Sequence, residues 1–384
     1  MHSNLVIDLG KIFKLFSGDS EISPFHDYYA NEQTLLRNCA GRLFVHYNGE
    51  DLVQTYWALR KKAIICDTPE RPLEISGPDS VPFLQMILSR DVSKLKVGRG
   101  FYTLSCTHSG GTFMDGILFK LSDNKFWFVQ PDGDMATWML AHSNGFEINI
   151  RDPKSRVLQL QGPKSYEIMH ASSNGAIDQN FGYYHSGFFS IGEQQVYISR
   201  TGWTGQLGNE IYTLGNKTNY SQLWKTLLTT GNPHGMVFSS MQAMNTRRIE
   251  AGILDSGGDF DISVSPFEVG LGRFIDTQKG QFIGSKALKT KSRESLLYGI
   301  ISENLVPAAG FSIMDNENIT VAKVTVGTFL PHFKNGIGYA RFYNSGPWIE
   351  KQLKIVSNDG SRGYCEIVEL PFYDRKKALP TKKL

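Results

Sequence analysis

The chain has 384 residues, more than one ordinary domain holds, so two or three packed units are expected. Hydrophobic residues make up 41% and charged residues 20%, the balance of a globular enzyme with a large core, and the 12% of aromatics suits large cores and flat ligands. A formal net charge of +3 excludes the clustered basic footprint of a nucleic-acid binder, and no window approaches the ~18 continuous apolar residues of a membrane span.

Met1 to Phe16 mixes Asp8, Lys11 and Lys14 with apolar residues and carries no small-residue cleavage site, so a cytoplasmic protein is expected. Residues 1–50 read as polar and irregular, with a turn-like entry at Ser23-Pro24-Phe25-His26. Helical spacing follows from Leu52 to Lys61, then short strands at Ala63–Cys66 and Leu73–Ile75. Gly77-Pro78-Asp79-Ser80 opens a helix from Val81 to Leu88. The pattern recurs 85 residues on, where Val157–Leu160 runs into Gly162-Pro163-Lys164-Ser165 and a helix from Tyr166 to Ala171, which suggests a duplicated unit. Between them, Gly116–Lys120 and Lys125–Val129 read as a hairpin across Ser122-Asp123-Asn124. Tyr220–Thr229 and Met241–Ala251 read as helices. From about Lys289 short alternating runs (Leu297–Ile301, Val321–Val326, Leu353–Val356, Tyr364–Val368) have the spacing of a small β-barrel. Arg375-Lys376-Lys377 with Lys382-Lys383 reads as a solvated, frayed tail. Cys39, Cys66, Cys106 and Cys365 have neither zinc nor disulfide spacing, and no metal is expected.

Two segments carry chemistry. In Ser199-Arg200-Thr201-Gly202-Trp203-Thr204-Gly205-Gln206-Leu207-Gly208-Asn209-Glu210, three glycines interrupt a strand pattern and permit left-handed or closely approached backbone. Trp203 offers a flat face and Glu210 a carboxylate, a pair suited to a flat heterocycle with ring N–H donors; a glycine-rich hairpin with a solvated Glu is the plainer alternative. Asp115 lies among Gly110, Gly111 and Gly116 at the start of a strand, where glycines leave room for a ligand against backbone.

The first segment resembles the Arg-Thr-Gly-Tyr-Thr-Gly-Glu-x-Gly-x-Glu signature of the glycine-cleavage T-protein (aminomethyltransferase) family. Gly110-Gly111-Thr112-Phe113-Met114-Asp115-Gly116 is similar to that family's Gly-Gly-x-x-Asp-Asp block. Leu73–Pro78, Leu160–Pro163, Arg248–Gly252, Ser265–Leu271, Phe282–Leu288 and Val326–Pro331 follow in its order. The resemblance implies an α+β fold: a ring of three domains around a central folate cavity, with a C-terminal β-barrel. It puts a folate-binding module of two α+β subdomains at 1–288 and the barrel at 296–374. It implies tetrahydrofolate as co-substrate, with Asp115 as the acid nearest the reacting folate nitrogen. Tyr102, Gln130, Trp203, Glu210 and Arg248 are then candidates for holding folate, and Glu210 suits bidentate acceptance from a pterin edge.

Several residues depart from the family pattern. Met114 replaces the first acid of its Asp-Asp pair, Gln206 an acid of the glycine signature, and Met244-Asn245 an Arg-Asp. These departures, with Phe126-Trp127 followed by Asp132 and Asp134, Trp203, Arg247-Arg248-Ile249-Glu250 and Pro69-Glu70-Arg71-Pro72-Leu73-Glu74-Ile75, are similar to the tetrahydrofolate-dependent demethylase branch, typified by dimethylsulfoniopropionate demethylase. Trp127 and Trp138 with Asp132 and Asp134 form an aromatic-plus-acid arrangement that could hold a small cationic methyl donor, with solvated turn acids the plainer alternative. The expectation is therefore methyl transfer from a sulfonium, quaternary ammonium or methoxy compound to tetrahydrofolate, by a monomer or homodimer, with no nucleic-acid or membrane partner. The alternatives are the aminomethyltransferase of glycine cleavage, which would add a lipoyl carrier protein as partner, and a folate-binding protein without turnover.

Overall fold

The computed structural model describes residues 20–130 and 133–383; the expectations for Met1–Phe16 and Asp132 lie outside these described residues. The stretch after residue 20, expected to be irregular, forms a three-stranded sheet. In it β1 (Glu21–Ile22) runs parallel to β3 (Arg42–Tyr47), and β2 (Leu35–Cys39) pairs antiparallel with β3. Only β3 buries apolar side chains, Phe44 and Val45, which explains why β2, exposed along most of its length, left no periodic signal.

Helix α1 (Leu52–Lys61) starts where Asp51 accepts hydrogen bonds from the Val53 and Gln54 amides, and it buries Tyr56 and Leu59. Next come β4 (Ala63–Thr68), β5 (Arg71–Ser76), α2 (Ser80–Ile87), β6 (Arg99–Cys106), β7 (Thr112–Ser122) and β8 (Lys125–Gln130). A second run repeats that order: α3 (Met135–Ala141), β9 (Asn149–Arg151), β10 (Val157–Gln161), α4 (Ser165–Ser172), β11 (Ser186–Ile191), β12 (Gln194–Ser199) and β13 (Gly208–Tyr212). The two sheets have the orders β6-β7-β8-β5-β9 and β11-β12-β13-β10-β4-β14, with β14 at Met236–Phe238. In each, three consecutive strands lie beside the strand that precedes the Gly-Pro turn.

The duplication extends to the register. Glu74 stands between Trp127 and Arg151, and Gln159, 85 residues later, between Glu210 and Cys66. The flanking strands are exchanged: β4 leads into β5 but pairs with β10, and β9 leads into β10 but pairs with β5. Gly77 (φ 130°) and Gly162 (φ 128°) share one conformation that L side chains rarely adopt. A Cβ on Gly77 would sit 2.4 Å from the Glu147 carbonyl and one on Gly162 2.5 Å from the Lys62 carbonyl, each on the segment leading into the exchanged strand.

The two sheets face each other through alternate residues. Phe119 of β7, Trp127 of β8, Tyr197 of β12 and Tyr212 of β13 form one buried aromatic cluster. Helices α5 (Tyr220–Gly231) and α6 (Met241–Glu250) follow, then the short α7 (Ser285–Leu288). A closed six-stranded barrel comes next, made by β15 (Leu297–Ser302), β16 (Ser312–Met314), β17 (Thr320–Leu330), β18 (Asn335–Phe342), β19 (Gln352–Val356) and β20 (Arg362–Val368). The fold is thus α+β with a C-terminal barrel.

The chain end is not a frayed tail. Beyond the barrel it returns to the first two sheets, where Asp374 accepts from the amides that open α8 (Ala378–Thr381). Arg200 of the glycine-rich segment donates to the carbonyls of Pro380 and Lys382, which fixes that end in place. No described helix is long and apolar enough to cross a membrane.

Candidate active site

A cavity of about 950 Å³, mouth included, opens beyond the aromatic cluster. One wall is the first sheet, with Tyr102 of β6 and Asp115, Gly116 and Ile117 of β7. The opposite wall is Glu210 of β13, Trp203 of the glycine-rich loop and Glu70 of the β4–β5 turn. Tyr183 and Tyr184, the loop Gly252–Ser256, Arg273 with Phe274, and Lys377 of the returning chain end complete it. Among the described residues no group of acids, histidines and cysteines is disposed to hold a metal.

Asp115 is buried, and its Oδ2 accepts a 2.8 Å hydrogen bond from the Tyr102 hydroxyl. Burial and the adjacent negative charge push the Tyr102 phenol well above its ordinary range, so it stays a donor. The pair presents a fixed acid at the cavity wall. Its glycines serve protein packing as much as ligand access: a Cβ on Gly111 would meet the Ile262 carbonyl, and one on Gly116 the Val129 carbonyl and the Phe128 ring.

Glu210 is buried and accepts from the hydroxyls of Thr201 at 2.7 Å, Ser199 at 3.4 Å and Tyr212. Desolvation raises its carboxyl, and the three hydroxyls oppose that shift. The glycines of this segment also have packing roles. Gly202 and Gly208 make room for Gln161, whose amide donates to the Thr201 and Asn209 carbonyls and accepts from the Thr204 hydroxyl. Only Gly205, with φ 62°, needs the left-handed region. The loop is therefore a rigid shelf that carries Trp203, and Trp203 donates its backbone N–H to Gln159.

The other expected residues lie elsewhere. Gln130 is buried and accepts from the Met135 amide. Arg248 is buried beside the cavity: its guanidinium pairs with Asp259, donates to the Ile253 carbonyl at 3.2 Å and lies over the Trp203 ring. It braces the Gly252–Ser256 loop and Trp203 rather than lining the space. Trp127 donates to Glu74 at 3.1 Å inside the aromatic cluster, and Trp138 packs on Phe113 and His142. Asp134 is exposed at the start of α3. An aromatic and acidic donor cage built from Trp127, Trp138 and Asp134 is therefore not present in the cavity: β8 carries Trp127 into the space between the sheets, and α3 turns Trp138 and Asp134 away. Met114 and Met244 are core residues that do not line the cavity.

Sequence reasoning passed over Glu70, Tyr183, Tyr184, Asp255, Arg273 and Lys377 as cavity residues. Glu70 stood in a quoted run, but nothing in its spacing tied it to Glu210. Burial and Arg273 lower the Lys377 ammonium to about 8, against the opposing pull of Asp374.

The GCVT N-terminal domain family matches residues 30–279. An aminomethyltransferase of Caldanaerobacter subterraneus subsp. tengcongensis is 30% identical over 346 residues, covering 87% of this chain and 91% of that protein. One from Lysinibacillus sphaericus is 30% identical over 83% of this chain and 89% of its own length. The crystal structure of glycine cleavage system aminomethyltransferase T from Bartonella henselae superposes with a TM-score of 0.82, covering 92% of this chain and 98% of that one at 22% identity, and so shows the shared fold. With eight sequence blocks in order and this architecture around one cavity, the chain belongs to the GCVT aminomethyltransferase family.

Proposed function

We propose that this chain transfers an aminomethyl-derived one-carbon unit to tetrahydrofolate, the reaction type named for its 30%-identical relatives. Tetrahydrofolate is the co-substrate of GCVT aminomethyltransferases, and the donor set here fits it. Glu210 supplies a buried acceptor for the N–H edge of a pterin, Trp203 an indole face, and the cavity the volume for a two-ring system. The observation that carries the reading is the placing of two acids, Asp115 and Glu210, on opposed sheets across one cavity.

Folate supplies the ring nitrogen that accepts the one-carbon unit; the chain supplies orientation and charge. Glu210 fixes the ring by its donors, and positioning of this kind lowers the barrier by about 7–11 kcal/mol at most. Asp115, aimed by Tyr102, offsets positive charge on the reacting nitrogen and can receive its proton. The 1–3 kcal/mol cost of stranding buried donors makes loss of Glu210 a binding defect first.

A second reading, methyl transfer from a small cationic donor, is favoured by the cavity wall itself. Tyr102, Tyr183, Tyr184, Trp203 and Phe274 stand there with carboxyl groups, and a cation over such faces gains about 0.5–2 kcal/mol. Product analysis separates the two. Incubation with tetrahydrofolate and an aminomethyl-lipoyl carrier should give methylene-tetrahydrofolate and ammonia. Methyl-tetrahydrofolate from a sulfonium, quaternary ammonium or methoxy compound, without carrier, would replace this reading with the second.

A further inference from the structure

Glu70 closes the β4–β5 turn against the wall that bears Glu210, and both side chains line the cavity. Its Oε1 accepts a 2.6 Å hydrogen bond from the Gln159 amide, whose oxygen in turn holds the Trp203 backbone N–H. Its Oε2 is buried and has no hydrogen-bond partner among the described residues. No lysine or arginine side chain forms an ion pair with the Glu70 carboxyl among the described residues; Arg42 meets only its backbone carbonyl.

We propose that Glu70 is a second recognition acid of this cavity, reading the ring-nitrogen and amino edge of an aminopyrimidine that Glu210 leaves uncovered. This rests on the folate reading and adds to it. An aminopyrimidine of the pterin type presents two edges around its exocyclic amino group. One edge has two donors, the ring N–H and one amino hydrogen, and suits a carboxylate. The other has an acceptor ring nitrogen beside the second amino hydrogen, and suits a neutral carboxylic acid, which both donates and accepts.

The two acids are prepared for these different tasks. Three hydroxyls donate to Glu210 and favour its carboxylate. For Glu70, burial first and then the Glu210 charge outweigh the hydrogen bonds from Thr68, its own amide and Gln159 and raise the carboxyl to about 7, so the two acids are prepared to share a proton. Asp67 of β4 is itself raised to about 6 by burial, and Cys66 and Tyr212 stay neutral. Across the cavity Asp115 is tied to Tyr102, while the cations Arg273 and Lys377 line another wall.

The test is titration of tetrahydrofolate into the full chain by calorimetry between pH 6 and pH 8.5, in buffers of different ionisation enthalpy. Wild type should bind with falling affinity above pH 7 and take up close to one proton at pH 8. Glu70→Gln keeps a donor and an acceptor in the same shape. It should bind like wild type at pH 6, lose the pH dependence and take up no proton through this site. Glu70→Leu should lose roughly tenfold or more at every pH. Unchanged affinity in Glu70→Leu, or an undiminished pH slope in Glu70→Gln, would overturn the role of Glu70 while leaving the folate reading standing. A wild-type chain that binds no tetrahydrofolate would remove the folate reading and this inference with it.

Discussion

A carboxyl group removed from water keeps its charge only where donors replace the lost hydration, as the Thr201, Ser199 and Tyr212 hydroxyls do for Glu210. Glu210→Gln retains the shape and should weaken tetrahydrofolate binding by about 1–3 kcal/mol, measured by calorimetry, with the circular dichroism spectrum unchanged. Asp115→Asn should act differently, lowering kcat about 10²-fold or more with a smaller change in affinity, because its charge is used at the reacting nitrogen. Glu70 adds a stability signature. Its carboxyl titrates near 7 in the fold against 4.5 for the free group, so its protonated form is the one folding favours. That contribution is present below about pH 4 and lost as the pH rises through 7. Glu70→Gln should therefore match wild type in chemical denaturation at pH 4 and exceed it at pH 8 by on the order of 1–3 kcal/mol. Asp115 and Glu210 were legible in the sequence because glycines flank them and strand alternation follows them. Glu70 and Lys377 were not, because a turn acid and a terminal lysine look solvated until distant segments cover them.

At the scale of elements, periodicity located the strands and helices that bury one face, and missed those that do not. Helix α1 follows its sequence pattern from end to end, whereas β2 has no period-two alternation and β16 is only three residues long, too little to register. The Gly-Pro repeat was the most informative short signal, since each glycine lies where an exchanged strand crosses the turn. Gly77→Ala and Gly162→Ala should each cost about 1–3 kcal/mol from backbone strain alone, with the carbonyl clash added, and their melting temperatures should fall by similar amounts. A marked inequality would mean that the two turns do not support equivalent crossings. Elsewhere Lys279 donates to the carbonyls of Gln85, Leu88 and Arg90, which satisfies the end of α2 from a distant loop. No local pattern announces such a contact.

The whole molecule closes its cavity with segments far apart in sequence, and the last of these is the returning chain end. A chain stopped after Tyr373 loses Lys377 from the wall and the Pro380 and Lys382 carbonyls from Arg200. It should melt lower by on the order of 1–2 kcal/mol of stability and bind tetrahydrofolate several-fold more weakly; equal affinity would show that this end only covers the site. The exchanged strands carry a consequence for synthesis. When β4 leaves the ribosome, its partner β10 has not yet been translated, and the delay is on the order of ten seconds at 5–20 residues per second. Throughout that interval the first half holds a strand that opens on four apolar residues, Ala63-Ile64-Ile65-Cys66, with neither edge paired. Neither half can finish alone, so the nascent chain depends on being shielded until Val157–Gln161 arrives, and slow translation between the two repeats would lengthen its exposure to aggregation.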